Sequence, residues 1–309
     1  MSMSRQVLVT GASGFVGRAL VLGLAARGWW VRAAARDVAG VPVAAGIEPL
    51  TMPDLAATAD WRALLDGVSH VVHLAGIAHS RAAIHEDVYQ RINATAAGEI
   101  AAAARGAGVA RFVLMSSVRA QCGPSAADPL TEEMPPAPTD AYGRSKLAAE
   151  RLMFEAFGAG ATILRPVLVM GPGVKGNLAA LARLARSPLP LPFGALHNRR
   201  SLLGLANLIS IADFALNAEA APGRTFLAAD PEPMSVAELV AAMRAAIGRK
   251  PGLMPVPPAL LRPALAAAGR GALAQSLLGD LVADIAALAQ AGWNPVATTR
   301  SEIARMMAL

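Results

Sequence analysis

Gln6-Val7-Leu8-Val9-Thr10-Gly11-Ala12-Ser13-Gly14-Phe15-Val16-Gly17, followed by the apolar run from Ala19 to Ala26, reads as a strand, a tight turn and a helix. The first five residues are short, apolar and β-branched, the composition of a buried strand. Glycines at 11, 14 and 17 permit the turn, let backbone approach a pyrophosphate and allow the helix to pack closely on the sheet. The helix N-terminus then offers unpaired N–H groups and a favourable dipole to phosphate oxygens. Gly11, Ser13, Gly14, Phe15, Val16 and Gly17 are therefore the expected dinucleotide contacts. The spacing is GxxGxxG rather than GxGxxG, and its weight comes from its setting directly after a strand.

A second strand, Trp30 to Ala35, ends at Ala34-Ala35-Arg36-Asp37. An NAD-selective site places a carboxylate on the ribose at this point, and an NADP site an arginine on the 2′-phosphate. Arg36 therefore tilts the expectation of NAD or NADP towards NADP; the alternative is a solvated residue at a strand end. Asp54 and Leu55, after the next strand, are candidates for the adenine, with a capping aspartate as the alternative. Strands follow at Val68 to Leu74, Phe112 to Ser116 and Thr162 to Leu164, separated by alanine-rich helical stretches at Ile84 to Arg105 and Ala141 to Phe157. Strands alternating with helices predict an α/β fold, a doubly wound parallel Rossmann sheet whose crevice opens at the carboxyl ends of the strands. Gly76 and Ser117 should face that crevice.

Proline-bearing segments at 123–140, 186–194 and 248–263 punctuate the rest. They suggest a dinucleotide-binding domain over residues 1–166. Residues 167–309 would form mainly a smaller substrate-binding cap, with some segments returning to the first domain. The 309 residues are 54% hydrophobic and 16% charged, which fits a packed core and excludes extensive disorder. A lone cysteine, Cys122, cannot close an internal disulfide. Nothing before the first strand resembles a secretory signal, and a cytoplasmic location is expected. The alanine- and leucine-rich stretch from Pro258 to Gln290 is interrupted by Arg262, Arg270, Asp280 and Asp284 before it reaches the roughly 20 apolar residues of a membrane span. It reads as packed helices, with no membrane partner. A net charge of +6 is spread along the chain and aromatic residues are 4%, a poor match to a nucleic-acid surface. No metal is expected.

Tyr142-Gly143-Arg144-Ser145-Lys146 lies within the predicted helix Ala141 to Phe157. Residues four apart share a helical face, so the Lys146 ammonium can stand near the phenol of Tyr142 and favour its ionised form. An ordinary amphipathic helix would show the same pattern, and the rest of the sequence decides between them. Together, Thr10-Gly-Ala-Ser-Gly-Phe-Val-Gly17, His73-Leu-Ala-Gly76, Met115-Ser-Ser117, Tyr142-Gly-Arg-Ser-Lys146, Leu164-Arg-Pro166, Gly171-Pro-Gly173 and Gly292-Trp-Asn-Pro295 resemble the extended short-chain dehydrogenase/reductases of the NAD-dependent epimerase/dehydratase family. The resemblance runs almost end to end. It is strongest to nucleotide-sugar enzymes similar to UDP-glucose 4-epimerases, and around Pro190 to Leu203 to UDP-N-acetylquinovosamine 4-ketoreductases.

The resemblance implies a catalytic Ser117, Tyr142 and Lys146, with proton transfer at a sugar oxygen and hydride transfer with the nicotinamide. It also implies dinucleotide contacts at Leu74, Ala75, Gly76, Asn93, Ser116, Tyr142, Lys146, Arg165 and Pro166. Asn93 matches the family's supporting asparagine; a plain helix-surface polar residue is the alternative. Arg200, or its neighbour Arg199, would bind the substrate diphosphate bidentately. Asn177 would meet the same group or cap a helix, and His79 would touch the sugar or stay solvated. A homodimer through the tyrosine-bearing helix is also implied. No aspartate-glutamate pair follows Ser117, which disfavours dehydration, and Arg119-Ala-Gln-Cys-Gly123 and Met170 replace the usual tyrosines. The expected activity is redox chemistry at C4 of a UDP-type sugar, as epimerase or ketoreductase. The alternatives are an NADPH-dependent reductase of a non-sugar ketone and a non-catalytic dinucleotide sensor.

Overall fold

A computed structural model describes residues 5–77, 84–267, 269 and 271–308. Nine strands are present among these residues: β1 Gln6–Thr10, β2 Trp30–Ala35, β3 Ile47–Thr51, β4 His70–His73, β5 Arg111–Met115, β6 Ala161–Pro166, β7 Leu168–Met170, β8 Leu202–Gly204 and β9 Thr225–Ala228. Seven form one parallel sheet in the order β3-β2-β1-β4-β5-β6-β9, and β7 pairs with β8 in a separate parallel ribbon. Each strand predicted from the sequence is found: β1 and β2 with the predicted bounds, and β4, β5 and β6 with ends trimmed, shifted or extended by one or two residues. The fold is the expected doubly wound α/β sheet. Strand β9, far along the chain, completes the sheet beside β6, pairing Ile163 with Thr225 through Pro166 with Ala228.

Side chains of a parallel strand alternate between two covered faces, so such strands read as nearly continuous apolar runs. Val7 and Val9 of β1 join one core with the helices Phe15–Ala25 and Leu205–Asn217, while Leu8 joins the core on the other face with the helices Ala96–Gly106 and Ala141–Phe157. A third core gathers Met170, Leu178, Phe193, Met243, Ile303 and neighbours from the later chain. β1 is flanked by β2 on one side and β4 on the other, so the strand order reverses there and the crevice opens above the two carboxyl ends.

The predicted continuous helix from Ile84 to Arg105 is divided. An α turn at Glu86–Tyr89 widens into a π-helical stretch at Gln90–Thr95 before Ala96–Gly106 resumes α geometry. One added residue per turn re-aims a side chain without breaking the helix. Asn93 lies within this π-helical stretch and is buried. Among the described residues, no helix is long and apolar enough to cross a membrane.

Candidate active site

The glycine turn is built around steric limits. Gly11 has φ +71°, and a Cβ there would lie 3.0 Å from the Ala75 nitrogen at the end of β4. A Cβ on Gly17 would overlap the Gly11 carbonyl. Gly14 is the N-cap of Phe15–Ala25 and supplies no capping side chain, so the first-turn N–H groups face the crevice and suit an anion. These features fit a pyrophosphate. Thr10 braces the floor: its hydroxyl accepts from Leu74 N and Ala75 N, both at 3.1 Å, and contacts His73 Nδ1 at 2.8 Å. With two lone pairs used, the hydroxyl donates to Nδ1. The proton of neutral His73 therefore sits on Nε2, which has no partner among the described residues. Burial, assisted by the Lys146 charge, lowers the His73 pKa to about 3.

Ser117 follows β5, at the N-cap of a short 3₁₀ turn, where its oxygen accepts from Arg119 N at 3.2 Å. Tyr142 is the second residue of the helix Ala141–Phe157, and its phenol shares a hydrogen bond with Ser117. Burial pushes the phenol above its usual pKa. The Ser117 bond and Arg119 pull it down, while Asp140 and Tyr89 push it up. Tyr89 packs edge-on with ring centroids 6.2 Å apart. Lys146 is 6% exposed, and its Nζ donates to the Met115 carbonyl at 2.9 Å. Burial lowers its pKa from 10.5 to about 8, with Glu150 opposing. Ser117 and Tyr142 are hydrogen-bonded, and Lys146, one turn along the tyrosine helix, is anchored to the Met115 carbonyl. The expected depression of the phenol by Lys146 is not what sets the phenol here; burial dominates.

Asn93 ties this cluster to the dinucleotide floor. Its Oδ1 accepts from Ile77 N at 2.7 Å, and its Nδ2 donates to Ile77 O at 3.1 Å and Ser145 Oγ at 3.0 Å. Ser145 Oγ in turn donates to the Tyr142 carbonyl at 2.8 Å. A Cβ on Gly76 would come 2.5 Å from Asn93 Oδ1, so glycine is needed there. Asn93 is buried, which removes the reading of a helix-surface polar residue.

Ser116 and Arg165 were expected along the dinucleotide, but their side chains are spent in a buried network. Ser116 donates to Glu150, and Arg165 grips Glu150 through Nε at 3.0 Å and Nη2 at 2.6 Å while Nη1 donates to Gln121 at 2.9 Å. A buried guanidinium needs a carboxylate and further acceptors, and Glu150 and Gln121 supply them beneath the crevice. Pro166 ends β6. Arg36 stands exposed past β2. Asp54 is exposed and accepts from Ala56 N at 3.0 Å, capping a turn rather than a helix, and Leu55 is buried in the core. Asn177 is the second residue of Gly176–Arg186, whose N-cap is Lys175, so Asn177 is not the cap. Arg199 is exposed beside Glu238 at 3.3 Å. Arg200 is partly buried, and its guanidinium donates to the carbonyls of Gly279 at 2.9 Å and Pro124 at 3.3 Å. His79 lies outside the described residues. No group of three His, Cys, Asp or Glu suited to a metal occurs among the described residues.

Residues 7–229 match the family described as the NAD dependent epimerase/dehydratase family. The chain belongs to that family. It is an enzyme of the extended short-chain dehydrogenase/reductase type. It is 31% identical to a UDP-glucose 4-epimerase of Vibrio cholerae over 306 residues, covering 96% of this chain and 92% of that protein. A ceramide reductase of Caulobacter vibrioides is 34% identical over 184 residues, covering 59% of this chain and 52% of that one. Among solved structures, MoeE5 in complex with UDP-glucose and NAD superposes with a TM-score of 0.76 at 25% identity, covering 98% of this chain and 97% of that one.

Four residues of this epimerase/dehydratase family site were not singled out from the sequence as functional: Thr10, Asp140, Gly143 and Glu150. Thr10 and Gly143 were inside quoted motifs, and Asp140 immediately precedes the tyrosine helix, so a capping signal was present. Glu150, four residues after Lys146, gave no signal of its own.

Proposed function

We infer that this enzyme is an NAD-dependent epimerase acting at C4 of a UDP-type sugar. The observation that carries the reading is the Ser117–Tyr142 hydrogen bond placed at the carboxyl end of β5, beside the glycine turn. A bound dinucleotide, its pyrophosphate held at the Gly11, Gly14 and Gly17 turn, would supply through its nicotinamide the hydride acceptor and donor at the sugar carbon. Ser117 orients the sugar oxygen. Tyr142 moves the proton at that oxygen, and its protonated phenol at neutral pH is suited to donate when the carbonyl is reduced. Lys146, fixed by the Met115 carbonyl, would hold the nicotinamide ribose of a bound dinucleotide. Arg199 and Arg200 lie within the segment 196–201, where a diphosphate would be gripped, and Asn177 lies at the start of a neighbouring helix. The part of the chain after residue 166 supplies this substrate side. We take NAD as the dinucleotide, because Arg36 is exposed and unsupported while the solved relative at 25% identity holds NAD. Leu152 and Phe154 are exposed on the helix that carries Tyr142, which supports pairing with a second copy.

Incubation with UDP-glucose or UDP-N-acetylglucosamine and catalytic NAD should give the 4-epimer with no net NADH. Consumption of NADPH only with a 4-keto sugar would replace this reading with a ketoreductase. Turnover of a non-sugar ketone alone would overturn both.

A further inference from the structure

We propose that Arg119 is a positioning residue that clamps the tyrosine helix onto the serine turn and thereby fixes the Ser117-to-Tyr142 spacing. Resting on the catalytic roles assigned above, the clamp has three points of contact within one residue. The Arg119 N–H donates to Ser117 Oγ at 3.2 Å. Its carbonyl lies against Gly143, where a Cβ would overlap it, so the helix backbone seats directly on the turn. Its guanidinium pairs with Asp140, the N-cap of the tyrosine helix.

Asp140 divides its two oxygens. Oδ1 accepts from Gly143 N at 2.7 Å and starts the helix, while Oδ2 takes the guanidinium. The side chains are only 19% and 27% exposed, so the pair is partly shielded from solvent. A charge-assisted bond in such a place is stronger and more directional than a surface ion pair. Serine, arginine and tyrosine helix are therefore one rigid unit. Arg119 thus has a structural use at the position where the sequence departs from the expected motif.

The clamp also has an electrostatic signature that a purely structural contact lacks. The groups facing the Tyr142 phenol are Ser117 and Arg119 from the turn, Asp140 from its own helix and Tyr89 from the helix Glu86–Tyr89. Lys146 lies one turn along, bound to Met115, and Arg200 is close enough to Arg119 for the two charges to repel. Arg119 favours the phenolate and Asp140 opposes it. Removing one charge at a time should move the phenol in opposite directions.

The test uses the full chain carrying Tyr89→Phe, which leaves Tyr142 the sole tyrosine, since the sequence has two. Tyrosinate absorbance after a rapid pH jump then reports Tyr142 alone, with no substrate required. Arg119→Ala should move the titration to higher pH, Asp140→Asn should move it lower while keeping the helix cap, and the double variant should fall between them. In the Tyr89-containing chain with its sugar substrate, Arg119→Ala should lower kcat about 10- to 100-fold, as expected for a displaced catalytic group. Its KM for the dinucleotide should change less than about threefold, and Arg119→Lys should recover part of kcat. Equal movement of the titration by both single variants, in the same direction or not at all, would overturn the clamp. Loss of kcat with the titration shifts absent would do so as well. If nucleotide sugars are not turned over, the titration still decides the clamp, so failure of the functional reading and failure of this one are separable.

Discussion

Replacing Lys146 with methionine should abolish turnover and yet stabilise the fold at neutral pH. The lysine is 6% exposed and its pKa falls from 10.5 to about 8, because burial penalises the ammonium more than Glu150 supports it. At about 1.36 kcal/mol per pH unit, that fall corresponds to roughly 3 kcal/mol against the folded state while the lysine is protonated. Methionine has a similar length and no charge, and removes this penalty. It also removes the bond from Nζ to the Met115 carbonyl, worth about 1 kcal/mol net. The balance is a gain of about 2 kcal/mol at pH 7, or roughly 4 °C in Tm for a chain of this size. The sign follows from linkage. Between pH 8 and 10.5 the unfolded chain binds the proton that the folded chain has released, so wild-type stability from this residue rises across that window. The advantage of methionine should therefore shrink from pH 7 to pH 10 and then reverse by the value of the lost bond. Urea unfolding of both proteins at several pH values measures it. A methionine variant less stable at pH 7, or a difference constant from pH 7 to 10, would refute the reasoning.

Gly143→Ala should cost about 1–3 kcal/mol through overpacking against the Arg119 carbonyl and Pro138. It should also lower kcat about 100-fold by lifting Tyr142 from Ser117, whereas Gly106→Ala, with open space around it, should leave kcat unchanged. His73 is neutral in the folded chain with a pKa of about 3, so its stabilising effect is complete above pH 6.5 and declines as pH falls towards 3. His73→Asn should flatten the urea midpoint between about pH 6 and 4, at a cost of about 1–3 kcal/mol at pH 7 for the disturbed Thr10 contact.

The doubly wound sheet was legible because its strands are apolar runs of the right length, separated by helical stretches and punctuated by glycines. The places of Ser117, Tyr142 and Lys146, the proposed catalytic trio, were legible because each sits in a motif with a fixed offset from a strand end or helix start. The π-helical turn around Asn93 was not, since Gln90 to Thr95 has ordinary helix composition and only the backbone register reveals the extra residue. The bonds of Arg165 and Ser116 were hidden for a related reason: their motifs locate them near the crevice, but the Glu150 carboxylate that draws both side chains inward is recognised only after the helix is docked on the sheet. Arg119 stood out in the sequence as a departure, and its pairing with Asp140, 21 residues away, required the fold.

The central claim is that Tyr142 moves a proton at a sugar oxygen while hydride leaves and returns to C4. UDP-glucose carrying deuterium at C4, incubated with the NAD-loaded enzyme, tests it most directly. The account predicts epimerised product that retains the deuterium at C4, and a Tyr142→Phe variant that still binds NAD but forms no product. Deuterium lost to solvent, or undiminished epimerisation by Tyr142→Phe, would contradict it.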